Sequence, residues 1–179
     1  LTRFRFWLSE QIGHCKRKLV TILDRVFPEY ESLFSSVFVT SSRALLQEAV
    51  SAQEFADFDL QELTGLLTKT SRGRFGAEKA MQIQAQARQS IGVGFLADAA
   101  QVEMRCLLAQ IALLEEQQAE VDEAEAALMA QIPQHITSIQ GIGLPTGAAI
   151  LAEIGDVHRF ESEDKIVGYA GIDATVHQS

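Results

Sequence analysis

The chain has 179 residues, 47% of them hydrophobic and 22% charged, with a formal net charge of -9. That length suffices for one domain, or a small domain with an extended arm, and the composition excludes wholesale disorder and a fibrous repeat. The acidic balance excludes a protein that holds nucleic acid by bulk charge, so any nucleic-acid site is local. No stretch has the length and apolarity of a signal peptide or membrane span, and a cytoplasmic protein is the default expectation. Cys15 and Cys106 lie far apart with no Cys-x-x-Cys spacing, which predicts reduced, buried thiols. The chain begins with Leu1 inside an amphipathic pattern and stops at Ser179 after a loop-like stretch, so a piece of a longer protein is expected.

Leu8, Ile12, Cys15, Leu19, Ile22 and Val26 alternate at spacings of four and three, which predicts the seam of a helix packed on a partner helix and closed by Pro28. Trp7, with Phe4 and Phe6, is expected to pack the end of that pair. Shorter helices follow. Thr40-Ser41-Ser42 offers an N-cap to a helix over residues 43–50, Ser51 to Glu54 reads as a capping box, and Asp59 opens a helix running to Leu67. Ser71-Arg72-Gly73-Arg74-Phe75-Gly76 is a basic glycine-bearing loop, after which a helix runs from Ala77 towards Ser90.

The longest element is predicted from Val93, Ala100, Leu107, Leu114, Val121 and Leu128, one every seven residues, with Met104 and Ile111 between them. More than thirty residues at ~1.5 Å rise give a helix roughly 50 Å long, its seam weakened where Gln118 and Glu125 fall on it. Residues 1–30 carry six basic and three acidic side chains, whereas residues 101–130 carry one basic and seven acidic. Opposite charge and matching heptads predict an antiparallel stalk capped by the small helices, formed within one chain or between chains. The expected fold is therefore all-α, with a coiled-coil-like stalk and cap over 1–132 and a distinct C-terminal unit over 133–179.

In that unit Gly141-Ile142-Gly143 makes a tight turn between a short helix and an Ala-rich helix entered through Pro145, a helix-hairpin-helix signature. Glycines let backbone approach a phosphate, and the N–H groups at the following helix start, with the Thr146 hydroxyl, supply donors. The alternative for Gly141, Ile142 and Gly143 is a turn that simply packs Ile142 into a core. The hairpin has no Lys or Arg of its own, and its nearest cations are Arg159 and Lys165. Ser162 is expected to cap a helix through Tyr169 that Gly171 ends. Arg72, Arg74 and Lys79, with Lys69 and Arg88 nearby, form the densest basic stretch after the first helix and are candidates for nucleic-acid backbone contact, or else a solvated loop face.

Thr137 to Gly143, Ile150 to Asp156, Arg159-Phe160, Tyr169-Ala170-Gly171-Ile172 and Ser179 together resemble the C-terminal domain of IS-one-ten-type insertion-sequence transposases. Residues 1–28 and 71–76 resemble the helical region of the longer members, so the likeness spans essentially the whole chain. The resemblance implies a DNA recombinase in which Ser179 matches the nucleophilic serine. It also implies a RuvC-like N-terminal domain, outside these residues, holding a divalent metal such as Mg²⁺ on four acidic side chains, so no cofactor is expected within this chain. DNA and a guide RNA from the element are the implied partners, with nucleoid association when active, while a second copy of the protein is expected through the helical stalk. The pattern departs at Ala174, where the family often has proline, and the fragment alone is expected to be inactive in strand transfer. The competing reading is a non-enzymatic helical module that oligomerises through the stalk and binds nucleic-acid backbone through the hairpin.

Overall fold

The computed structural model describes residues 1–171, with residue 96 described by its backbone alone. The fold is all-α, with no strand among the described residues. Among the described residues eight α-helices follow in order: α1 (Thr2–Val26), α2 (Thr40–Glu48), α3 (Ala52–Asp57), α4 (Leu60–Thr70), α5 (Ala77–Arg88), α6 (Ala97–Met129), α7 (Leu144–Ile154) and α8 (Glu163–Tyr169). Short 3₁₀ turns occupy Pro28–Leu33, Gly94–Leu96, Ile136–Ser138 and Val157–Arg159. No helix among the described residues is long and apolar enough to cross a membrane. The chain forms two compact units, residues 8–117 and residues 1–7 with 118–179.

The larger unit is built round a cluster of aromatic rings. Phe27, Tyr30 and Phe55 are fully buried with centroids 5.4–5.6 Å apart, and Phe34 extends the cluster to Phe75. The Tyr30 hydroxyl donates to the Ser42 carbonyl at 3.2 Å and accepts from Ser42 Oγ at 3.1 Å. This pairing explains why Ser41 and Ser42 are not the expected cap. The helix starts one turn earlier, with Val39 as N-cap, and carries both serines buried inside it. Ser51 and Glu54 form the expected capping box, and Asp59 accepts from the Gln61 and Glu62 amides.

Within this unit α1 and α6 run antiparallel: Lys16 pairs with Glu115 at 3.0 Å, Cys15 Sγ donates to Gln110, and the Val93 amide donates to the Arg25 carbonyl at 2.7 Å. Leu8, Ile12, Cys15, Leu19, Leu23 and Val26 are buried on α1, so Leu23 takes the place expected of Ile22, which is partly buried. Val93 lies outside α6 and is exposed. Gly92 approaches α1 so closely that an added Cβ would fall well under 3.0 Å from the Val26 carbonyl. On α6 the buried side chains are Ala100, Met104, Leu108 and Ile111, with Leu107 and Leu114 packed partly against them. Cys106 is exposed, contrary to the expected burial, because it points between those positions; both cysteines are free.

The smaller unit has a sparse core. Val121, Met129 and Ala148 are its buried hydrophobic side chains among the described residues, joined by Gly147 and the carboxylate-bearing Glu125. Leu128, expected on the seam, is half exposed. Arg5 Nε donates to Asp122 at 2.5 Å, and Arg3 pairs with Glu153 at 3.0 Å. Trp7 stacks on Phe4 at 5.5 Å, but Phe4, Phe6 and Trp7 each stay about half exposed rather than packed into an end. The helix α7 meets the Ile136–Ser138 turn where Gly147 admits the Thr137 and Ile136 methyl groups at 3.0 and 3.2 Å from its Cβ position.

Candidate nucleic-acid interface

The basic loop between α4 and α5 is set by hydrogen bonds. The Ser71 hydroxyl accepts from the Phe75 amide at 2.8 Å, Thr68 Oγ1 donates to the Phe75 carbonyl at 3.2 Å, and the Gly73 amide donates to the Thr68 carbonyl at 2.8 Å. These ties fold the chain through two successive left-handed residues, Arg72 (φ 55°) and Gly73 (φ 83°). Glycine adopts that region freely, whereas Arg72 is held there against its preference. The structure brings two of the three candidate cations, Arg74 and Lys79, to one ring. The Arg74 guanidinium lies 5.0 Å from the Phe75 centroid, and Lys79 Nζ lies 5.8 Å from Phe75 and 5.1 Å from Phe34. Burial against these rings lowers the Lys79 pKa from its usual range, and Nζ donates to Gln82 at 3.0 Å. Among the described residues no carboxylate pairs with Arg72, Arg74, Lys79, Lys69 or Arg88. A fixed loop with unneutralised cations suits phosphate oxygens.

In the smaller unit the hairpin turn closes through the Ile142 amide on the Ile139 carbonyl at 3.0 Å, with Gly141 left-handed at φ 92°. The arm before it is a single 3₁₀ turn, Ile136–Ser138, rather than a full α-helical arm. Gly143 is the N-cap of α7 and Pro145 lies in its first turn. Gly141, Gly143 and Thr146 are exposed, and Ile142 is half-buried, so the turn does not drive Ile142 into a core.

Farther along, Arg159 lies over two rings, 4.7 Å from the Phe160 centroid and 4.9 Å from Tyr169. The Tyr169 hydroxyl donates to the Glu153 carbonyl at 3.1 Å, tying α8 to the end of α7. An open cleft of about 720 Å³ is lined here by Arg159, Ser162, Asp164, Lys165 and Tyr169. Sequence reasoning named Arg159 only as a nearby cation. Its ring partner ten residues on becomes visible only once the Ser162 turn brings α8 back.

Residues 133–179 match the family described as Transposase IS116/IS110/IS902 family. That match covers 47 of the 179 residues, so it is a similarity of the C-terminal segment. No curated protein and no solved structure matches the chain.

The matched segment contains the Gly141-Ile142-Gly143 turn, Thr146 and the Arg159 cleft, while the Arg72, Arg74 and Lys79 cluster lies outside it. The hairpin and the basic loop belong to different compact units. Ser179, inside the match, lies outside the described residues. Among the described residues no group of three or more His, Cys, Asp or Glu side chains is placed to hold a metal ion.

Proposed function

We propose that this chain is the helical and C-terminal part of an insertion-sequence transposase that binds DNA and cuts it with Ser179. The observation that carries the reading is the family match over 133–179, which spans the glycine turn, the Tyr169-Ala170-Gly171 string and Ser179. In this reading Ser179 Oγ attacks a backbone phosphorus, an O–P bond forms, and the bond to the departing strand oxygen breaks. The Ser179 proton passes to a base, and the departing oxygen is protonated in turn. The phosphoserine keeps the phosphodiester energy, so religation needs no ATP. Arg159 and Lys165 suit contact with backbone phosphates of the DNA. A divalent cation on a separate acidic domain, a guide RNA and a second copy of the protein complete this proposal.

A second reading is favoured by one observation, the unpaired Arg72, Arg74 and Lys79 cluster outside the matched segment. It takes the chain as a helical nucleic-acid-binding module without chemistry of its own. The test uses the protein as encoded in full, incubated with end-labelled element DNA and Mg²⁺ and then denatured. A DNA–protein adduct that maps to a phosphoserine and vanishes in Ser179→Ala supports the transposase reading. An adduct that survives the substitution overturns Ser179 as nucleophile. Salt-sensitive binding with no adduct leaves the module.

A further inference from the structure

The α6 helix puts an acidic residue on its buried seam at Glu125. The side chain is only 3% exposed, and both carboxylate oxygens are buried without a hydrogen-bond partner. The arginines described in this unit have other partners. Arg5 is engaged by Asp122 and Arg3 by Glu153, while Arg159 sits over Phe160 and Tyr169. A dehydrated, unpaired carboxylate is costly, and buried charges in proteins are ordinarily paired.

Glu125 also lines a cavity of about 210 Å³ in the smaller unit. Its other walls are mainly apolar, with Leu128, Met129, Ile132, Ala148 and Leu151 among them, and Leu1 and Thr2 complete the lining. A site with one carboxylate in an aliphatic surround selects its occupant by elimination. A divalent metal requires several oxygen, nitrogen or sulfur ligands, and these walls offer one carboxylate. An anion would be repelled. A neutral hydrocarbon fills the space but leaves the carboxylate unpaired. An aliphatic stem with one compact positive head satisfies both parts, its methylenes on the leucines and its N–H donors on the carboxylate. We infer that Glu125 and this cavity form a binding site for an aliphatic ammonium ion, supplied by a free amine or by a lysine side chain. The inference stands apart from the transposase reading, since it uses neither Ser179 nor a nucleic acid.

The experiment uses the full chain with ¹³C-methyl methionine. Its three methionines are Met81, Met104 and Met129, so Met129 reports the cavity while Met81 and Met104, in the other unit, serve as controls. Titration with n-butylammonium at constant ionic strength is expected to give a saturable shift of the Met129 methyl alone. Affinity should exceed that for n-butanol by roughly tenfold or more, the scale of one charge-assisted hydrogen bond. Glu125→Gln should erase that preference while the Met104 resonance holds its position. Equal affinity for the amine and the alcohol in the unsubstituted protein overturns the inference, as does the absence of a saturable Met129 shift, and neither result depends on the variant folding. Tighter binding of 1,4-diaminobutane than of Nα-acetyl-lysine methylamide identifies a free amine as the source, and the reverse order identifies a lysine side chain.

Discussion

Glu115 ties three elements of the larger unit together, and its loss should be legible as a change in acid stability. Arg43 donates to it through both terminal nitrogens, at 2.6 and 2.8 Å, and Lys16 approaches at 3.0 Å. The Arg43 hydrogen bonds, opposed by burial and helped by Lys16, hold the Glu115 carboxyl at about 2 against an ordinary 4.5. At about 1.4 kcal/mol per pH unit that depression corresponds to roughly 3 kcal/mol. With the side chain 34% exposed, solvent screening brings the expected contribution to about 1–2 kcal/mol. Because the folded value lies below the unfolded one, this stability is fully present above about pH 4.5 and drains away as the pH falls towards 2. Urea unfolding, followed through the near-ultraviolet signal of buried Tyr30, should be measured at pH 7 and pH 3. Glu115→Gln should lose about 1–2 kcal/mol at pH 7 and show a shallower fall to pH 3 than the parent. If the two proteins keep parallel pH profiles, the cluster contributes nothing and the assignment is wrong.

At Gly92, alanine would push a methyl into the Val26 carbonyl, and Gly92→Ala should cost about 1–3 kcal/mol by thermal unfolding, whereas Gly94→Ala, with open space at its Cβ, should cost about 1 kcal/mol or less. Removing the capping hydroxyl in Ser51→Ala should cost about 1 kcal/mol, since Ser51 Oγ accepts from the Glu54 amide and Glu54 Oε2 accepts from Ser51; an unchanged denaturation midpoint would refute the box as a stabilising device. The double substitution Arg72→Ala with Arg74→Ala should weaken binding of duplex DNA and lower the slope of log affinity against log salt by about 2; an unchanged slope would remove the loop from the interface.

Signals confined to a few neighbouring residues read through to the fold. Ser51 with Glu54, Asp59 as a cap, Pro28 as a stop and the Ser71–Gly76 loop are decided within one helical turn, and so they are visible in the sequence. The long helix is different. A strict seven-residue repeat drifts by about 20° per heptad on a straight helix, so the four heptads from Ala100 rotate Leu128 off the buried face by about 80°. Met129 takes its place inside, and Glu125 stays buried with it. Ser42 was misread as part of a cap because its partner, the Tyr30 hydroxyl, is twelve residues away. Arg72, Arg74 and Lys79 group together in the sequence because eight residues of chain, the loop and the first turn of α5, carry them all. The Tyr169 ring beside Arg159 is not visible there, because α8 has to fold back first.

The aromatic side chains are also divided in a way that makes the two compact units separately observable. The chain holds one tryptophan and two tyrosines. Trp7 and Tyr169 belong to the smaller unit, and Tyr30 is sealed in the larger one, where burial pushes its hydroxyl pKa well up. Indole fluorescence therefore follows one unit without interference, while alkaline ultraviolet titration leaves Tyr30 silent until the larger unit opens. A label-free melt can thus reveal whether the two halves unfold together or in sequence.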